Sequence, residues 1–512
     1  MEAFASLGQG FQVALQPFNI AMLFAGVALG LVIGVLPGLG GTSGVAILLP
    51  VTVYIAAASP TSAIIFLAGI YWGALFGGLV TSILFNIPGE PWAVALCFDG
   101  FPLAKHLGRP GLALSASFLA SFVGALIATI LFTFFAAPLA DFALKFGPPE
   151  LFAVFLLAFA ALAGLESSSV NKSVAMIGLG LLLAAVGFDT ITGTPRLTFG
   201  QITLLSGIGF VPVTIGLYGI GEILASAEER GALSFEKIAV KMGLKDVLEA
   251  ADAIRQRVWT VVSASLIGFW IGVLPGTGAT PASFLSYGIA RQYSRNKENF
   301  GKGEISGIVA PQAAADAAGV GSLLPMVALG VPGSPTAAVI MAGLFIWGLT
   351  PGPQLFITHP DFIWGLIASI YLAQLLTVVI CLVGVPVLAS IMRIPYPIIT
   401  PFIVIISILG SYSIQNSMTD VWITLIFGVI GFWLRKLKYP LAPLVVALVL
   451  GDSAEKALRQ SLIMSDAALS IFFTRPIAAV LMALAVVFLL LPLFQAAFRR
   501  LRRVEEQVAT PL

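Results

Sequence analysis

Charge is scarce in this 512-residue chain. Only 10% of its residues are Asp, Glu, Lys or Arg, against about 25% in an ordinary soluble domain. With 59% hydrophobic residues and a mean hydropathy of +1.03, too few polar side chains exist to cover a soluble surface. A soluble enzyme is therefore excluded, and so is one with a detachable anchor. The 26 basic residues nearly balance the 24 acidic ones, leaving a net charge of +2 and no basis for nucleic-acid binding. The two cysteines, Cys97 and Cys381, sit in apolar stretches without a CxxC pair, which excludes a disulfide framework or a zinc site. The two histidines, His106 and His359, lie beside basic or proline residues and suit neither a proton relay nor a metal. No Walker A sequence is present, so ATP is not the expected energy source. Neither Lys nor Arg occurs in residues 1–104, 258–290 or 303–392. The first residues, with Glu2 and no basic side chain, do not read as a cleavable signal.

What is abundant is apolar sequence in runs near twenty residues, interrupted by glycine (53) and proline (31). Continuous runs exclude the alternating pattern of a β-barrel. They predict an all-α polytopic membrane protein of about eleven to fourteen segments. Apolar stretches too short to span follow glycine-proline breaks, and these read as half-helices or re-entrant hairpins.

The chain repeats itself. Gly34-Val35-Leu36-Pro37-Gly38-Leu39-Gly40-Gly41-Thr42 returns as Gly272-Val273-Leu274-Pro275-Gly276-Thr277-Gly278-Ala279-Thr280, a spacing of 238. Ile87-Pro88-Gly89-Glu90-Pro91 returns as Val331-Pro332-Gly333-Ser334-Pro335, a spacing of 244. Two motifs recurring in the same order predict two structural repeats, 15–225 and 258–465. Residues 226–257 would join them as an amphipathic linker at the cytoplasmic surface. Its apolar stripe would be Ile238, Met242, Val247, Leu248, Ala251 and Ile254. A C-terminal transmembrane helix and basic tail, 466–512, would follow. Basic residues mark cytoplasmic loops. They follow the second motif of repeat one (Lys105, Arg109) but the first motif of repeat two (Arg291, Arg295, Lys297, Lys302). The repeats are therefore expected to be inverted, with 53–62 and 349–353 outside, and 105–109, 291–302 and the C-terminus inside.

The breaks carry the chemistry. Proline removes a helical hydrogen bond, glycine permits unusual backbone angles, and in hydrocarbon the freed main-chain groups must find partners. A kink made only for packing would need no polar neighbours, but four breaks in two matched pairs point to a site. The positive start of a half-helix favours an anion, and freed carbonyls favour Na⁺. The substrate-binding candidates are Gly38, Gly40, Thr42, Ser43, Asn86, Pro88, Gly89 and Glu90 in repeat one. Gly276, Gly278, Thr280, Ser283, Gly333, Ser334 and Thr336 are their counterparts in repeat two. Glu90 either takes a cation or proton, or caps a half-helix starting near Trp92. Asp316, in the small-residue run Gln312–Gly319, is either a coupling-ion ligand with Gln312 or an interhelical hydrogen-bonder. Asp99, in Phe98-Asp99-Gly100-Phe101-Pro102, reads as a turn former. No Arg or Lys stands near any motif. An anionic substrate would be held by main-chain N–H groups, hydroxyls and a bound cation, which favours cation-coupled symport, because the co-ion balances the substrate's charge.

These residues resemble the large membrane subunit of the tripartite tricarboxylate transporter family over nearly the whole chain. The resemblance rests on residues 34–41, Pro88–Pro91 with Asp99–Pro102, Phe146-Gly147-Pro148-Pro149-Glu150 and the block Gly272–Pro353. It implies a bacterial inner-membrane secondary transporter driven by Na⁺ or H⁺. Its partners would be a small membrane subunit and a periplasmic solute-binding protein that delivers a small carboxylate. The family pattern near 310 commonly reads Ala-Pro-Glu-Ala-Ala-Asn-Asn-Ala. Here Gln312 takes the Glu place, and Ala315 and Asp316 take the two Asn places. Two other readings compete. Gly41-Thr42-Ser43-Gly44 matches the pattern of an intramembrane serine protease, which needs a histidine base on a neighbouring helix. Broken helices also build ion or solute channels.

Overall fold

The computed structural model describes residues 2–36, 39–165, 169–189, 192–229, 242–391 and 396–490. Pro37 and Gly38, most of the linker before Met242, and the basic tail lie outside the described residues. The chain is an all-α polytopic membrane protein, with one two-stranded hairpin (Gly187–Phe188 with Pro195–Arg196) among the described residues.

In order, the helices are α1 (Glu2–Ala14), α2 (Pro17–Val35), α3 (Gly41–Leu48), α4 (Val51–Ala58), α5 (Pro60–Phe85), α6 (Ala93–Phe101), α7 (Pro110–Ala143), α8 (Pro148–Leu165), α9 (Val170–Ala184), α10 (Phe210–Thr214) and α11 (Gly221–Glu229). Then come α12 (Leu244–Gln256), α13 (Val258–Val273), α14 (Ala279–Tyr293), α15 (Ser306–Leu329), α16 (Pro335–Ile346), α17 (Gln354–Thr358), α18 (Pro360–Ile391), α19 (Tyr396–Gln415), α20 (Met418–Lys436), α21 (Ala442–Met464), α22 (Ile471–Thr474) and α23 (Pro476–Leu490). Prolines at the first turn start many of them, where a missing N–H costs nothing. Ser59, Ser169 and Ser334 cap α5, α9 and α16 through their hydroxyls. Among the described residues, seven helices are long and apolar enough to cross a membrane, counting the continuous stretch Phe210–Glu228 (α10 through α11) as one, or eight if α3 and α4, bent by 65°, form one broken span. Six shorter apolar helices account for the larger segment number expected from sequence.

The chain divides into two compact units that follow packing rather than repeat boundaries. The first comprises Met1–Leu144, Gly209–Leu274 and Gly278–Lys436. Its core is α5 and α15, both enclosed on all sides. The reason is in their composition. Half of the α15 residues are Ala, Gly or Ser, so neighbouring backbones come close enough to touch. A Cβ on Gly34 of α2 would overlap the Ala74 carbonyl of α5, and one on Gly30 the Ile70 carbonyl. On α13, Gly272 and Gly268 meet the Ala318 and Ala314 carbonyls of α15 in the same way. These contacts repeat the sequence spacings, 238 on one side and 244 on the other. The helix ends repeat too: Asn86 after α5 and Gly330 after α15 both adopt left-handed angles (φ 57° and 71°).

The second unit comprises Lys145–Ile208, Pro275–Thr277 and Leu437–Leu512. In it α9 packs on α21 at Gly180, and α8 packs on α23 at Gly164. Ion pairs hold its ends: Glu150–Arg475 at 3.3 Å, Asp189–Arg459 at 2.7 Å and Arg196–Glu455 at 2.6 Å.

The linker helix is phased differently from the expected stripe. In α12, Ala250 and Ala253 are buried, whereas Leu248 and Ala251 are exposed, and Ile238 lies outside the described residues. The cause is docking onto α7. The small alanine face packs inward against α7, and Arg109, just before α7, pairs with Glu249 through two exposed hydrogen bonds of 2.8 and 2.6 Å.

A bulky residue at Gly34 or Gly272 must push two helices apart, costing about 1–3 kcal/mol or more. Gly34→Val and Gly272→Val are each expected to lose monodisperse protein in detergent. Gly8→Ala, where nothing lies near the added carbon, should elute like the wild type.

Candidate functional site

The first unit gathers most of the motif residues. Glu90, in the loop between α5 and α6, turns back onto α3. One carboxylate oxygen accepts the Gly41 N–H, and the other accepts the Trp92 indole N–H at 2.8 Å. Gly41 is the first residue of α3, so the carboxylate sits on that helix's positive end. A Cβ on Gly40 would overlap the Glu90 side chain, so a larger residue there would displace the carboxylate from α3. The expected cap on a half-helix near Trp92 is thus corrected: Glu90 satisfies the start of α3, the helix that carries Thr42 and Ser43. Ser43 is buried beside it.

The second repeat builds the same corner with different chemistry. Gly278 adopts a positive φ of 61° at the start of α14, and its N–H donates to the Gly333 carbonyl at 3.1 Å. Ser334 stands where repeat one has Glu90, and its hydroxyl lies 3.0 Å from that of Ser322 on α15 while accepting the Ala337 N–H. Where repeat one has the Glu90 carboxylate, the sequence places a neutral hydroxyl in repeat two.

The repeats then interlock. Thr42 of α3 and Thr336 of α16 place their hydroxyl oxygens 2.7 Å apart. Ser283 of α14 donates to the Trp92 carbonyl at the start of α6, at 2.9 Å. Each half-helix of one repeat thereby meets the closing helix of the other. Tyr71 of α5 fills the space between: its ring edge would stand 3.2 Å from a Cβ on Gly41, and its hydroxyl 3.0 Å from one on Gly319 of α15. Thr280 and Gly89 are half-buried nearby in sequence, and Pro88 is likewise half-buried. Asn86 serves as the left-handed, exposed end of α5. Gly276 belongs to the second unit, where its positive φ of 75° sets it against the Leu162 side chain. Gly38 lies outside the described residues.

Asp316 and Gln312 lie one turn apart on α15 and are fully buried. Gln312 Nε2 donates to Asp316 Oδ2 and, at 3.2 Å, to Ser121 Oγ of α7, and Ser121 donates to the same carboxylate oxygen at 2.5 Å.

Asp99 differs from its expected role. It lies within α6, fully buried, not in a turn. Its Oδ1 accepts the N–H groups of Gly301, Gly303 and Glu304 at 2.8–2.9 Å, and Oδ2 accepts the Tyr287 hydroxyl at 3.0 Å. It therefore anchors the connection between α14 and α15. Tyr71, Trp92, Ser121 and Ser322 were not singled out from sequence. Only Tyr71 left a trace there, as a phenol among the glycines of a long apolar run.

Removing the Asp99 carboxylate orphans several buried donors. Asp99→Ala is expected to destabilise the protein by about 3 kcal/mol or more. Thermal unfolding in detergent reads this, and an unchanged midpoint would show that another group holds the connection.

Comparison with known proteins agrees with this architecture. Residues 20–446 match the family model described as the tripartite tricarboxylate transporter TctA family. The chain is 39% identical over 495 residues to an uncharacterized 52.8 kDa protein in the TAR-I ttuC' 3' region of Agrobacterium vitis, covering 96% of this chain and 97% of that protein. It is 38% identical over 226 residues to an uncharacterized protein in the TAR-II ttuC' 3' region of the same organism, covering 44% of this chain and 93% of that protein. No solved structure matches significantly. With the family model covering most of the chain and the broken helices in place, the protein belongs to the tripartite tricarboxylate transporter TctA family.

Proposed function

We propose that the protein is the transport subunit that carries a small carboxylate (a tricarboxylate, a dicarboxylate or a related organic acid) into the cell. The solute is handed over by a periplasmic binding protein and crosses by alternating access. A Na⁺ or H⁺ gradient drives it, and a small membrane subunit completes the assembly. The inner membrane is its location, with inverted repeats and the C-terminus in the cytoplasm, as the loop charges favour.

The observation that carries this reading is the unequal pair of corners. At α3 a carboxylate of the protein itself, Glu90, already occupies the N-terminal end, so these breaks suit carboxylates. At α14 the matching residue is Ser334. The solute's carboxylate fits there, against the first turn with Thr280 and the nearby hydroxyls. No Arg or Lys from residues 258–290 or 303–392 competes for it. Cation co-transport then compensates the solute's charge.

Reconstitution into proteoliposomes with the cognate binding protein and small subunit tests the reading. Carboxylates are screened with and without Na⁺ and a pH gradient. Uptake is expected to saturate and to require the binding protein. Conductance without that protein would favour a channel. Thr280→Trp and Thr42→Trp should abolish uptake while eluting as folded protein, and wild-type rates in both would reject this placement.

A further inference from the structure

The interface of α7 with α15 holds an unusual combination of satisfied and unsatisfied atoms. Asp316 Oδ2 receives the Ser121 hydroxyl and the Gln312 N–H. The other oxygen of each side chain, Asp316 Oδ1 and Gln312 Oε1, is buried and has no hydrogen-bond partner among the described residues. An ionised carboxylate and an amide carbonyl both only accept. Two neighbouring orphan acceptors call for one shared donor.

We propose that this donor is a proton on Asp316: the residue takes up and releases one proton during the transport cycle, and its neutral form closes a ring with the Gln312 carboxamide. In that ring the amide N–H donates to Oδ2, and Oδ1–H donates to Oε1. One proton thus satisfies both orphans. It comes from the aqueous phase on one side, converts carboxylate to carboxylic acid, and leaves to the other side. The inference rests on the transport reading and names its coupling site.

Charge supports it. A buried, ionised carboxylate with no cationic partner is costly. The helices α5, α7, α13 and α15 contain no Lys, Arg or His. The groups around α15 add no positive charge at this level. From α5 comes Tyr71, whose hydroxyl borders Gly319, and from the following loop comes the Glu90 carboxylate. Asp99 of α6 and Tyr287 of α14 lie toward the start of α15, beside Gly307. From α7 comes Ser121, and α13, α16 and α17 bring no titratable side chain. A metal ion would need several oxygen ligands and room for them. Beside this site, Gly124 of α7 presses on the Ala313 backbone, and a proton fits where helices touch.

Infrared difference spectroscopy on the purified full-length protein, cycled between acid and alkaline buffer, tests this directly. The wild type should show the carbonyl stretch of a protonated carboxylic acid that shifts in D₂O. Asp316→Asn should lose that band while melting and eluting like the wild type, because the amide keeps the neutral shape. Gln312→Leu should keep the band at higher frequency, having lost its hydrogen-bond partner. A wild-type spectrum unchanged by Asp316→Asn overturns the proposal. So does a Na⁺-dependent rise in melting temperature that Asp316→Asn abolishes, which would make the site a metal site. In proteoliposomes, uptake driven by a pH gradient should fall to background in Asp316→Asn. Absent wild-type uptake with the expected band would sink the transport reading and leave the proton site standing. Wild-type uptake without an Asp316-dependent band would do the reverse.

Discussion

A helix broken inside apolar surroundings exposes main-chain groups that must be satisfied by the protein itself, and here no basic side chain is at hand to help. That demand organises the first unit. Glu90 bends back to the first N–H of α3, and the Gly333 carbonyl meets the Gly278 N–H before α14. Hydroxyls of Thr42, Thr336, Ser322 and Ser334 fill the remaining positions. Except for Ser322, which lies within α15, each partner comes from another break, so the breaks hold each other in place. Gly40 leaves room for the Glu90 side chain to pass, and a larger residue there would displace it.

The repeat is exact in packing and unequal in chemistry. Gly30 and Gly34 meet Ile70 and Ala74 as Gly268 and Gly272 meet Ala314 and Ala318. Close backbone approach leaves those positions little freedom. The polar positions had more: Glu90 has become Ser334, and a glycine at position 78 is matched by Ser322. On the proposed reading, asymmetry of this kind gives one corner its own charge and leaves the other free to receive the carboxylate of a solute.

Away from the breaks, a second set of contacts ties the loops together. Asp99 of α6 holds the α14–α15 connection, Arg109 holds the linker helix, and Arg257 reaches Glu304 at 3.2 Å and Ser306 at 3.0 Å. The exposed pairs among them contribute little individually. The buried Asp99 carries more, because its acceptor oxygens are matched by several main-chain donors.

Membrane class, helical content and the twofold recurrence were legible from residue order alone, because run length and motif spacing are properties of the chain as written. So were the breaks, since proline and glycine act locally on the backbone. The direction of the Glu90 side chain was not, for it depends on a helix 49 residues away. Asp99 looked like a turn because glycine and proline follow it, yet distant N–H groups drew it into a buried helix. The phase of α12 follows from its packing on α7, beside which Arg109 and Glu249 pair across 140 positions. The pairing of Asp316 with Ser121 spans 195 positions. Local propensity fixes where a chain bends, but which acceptor meets which donor depends on helices brought side by side.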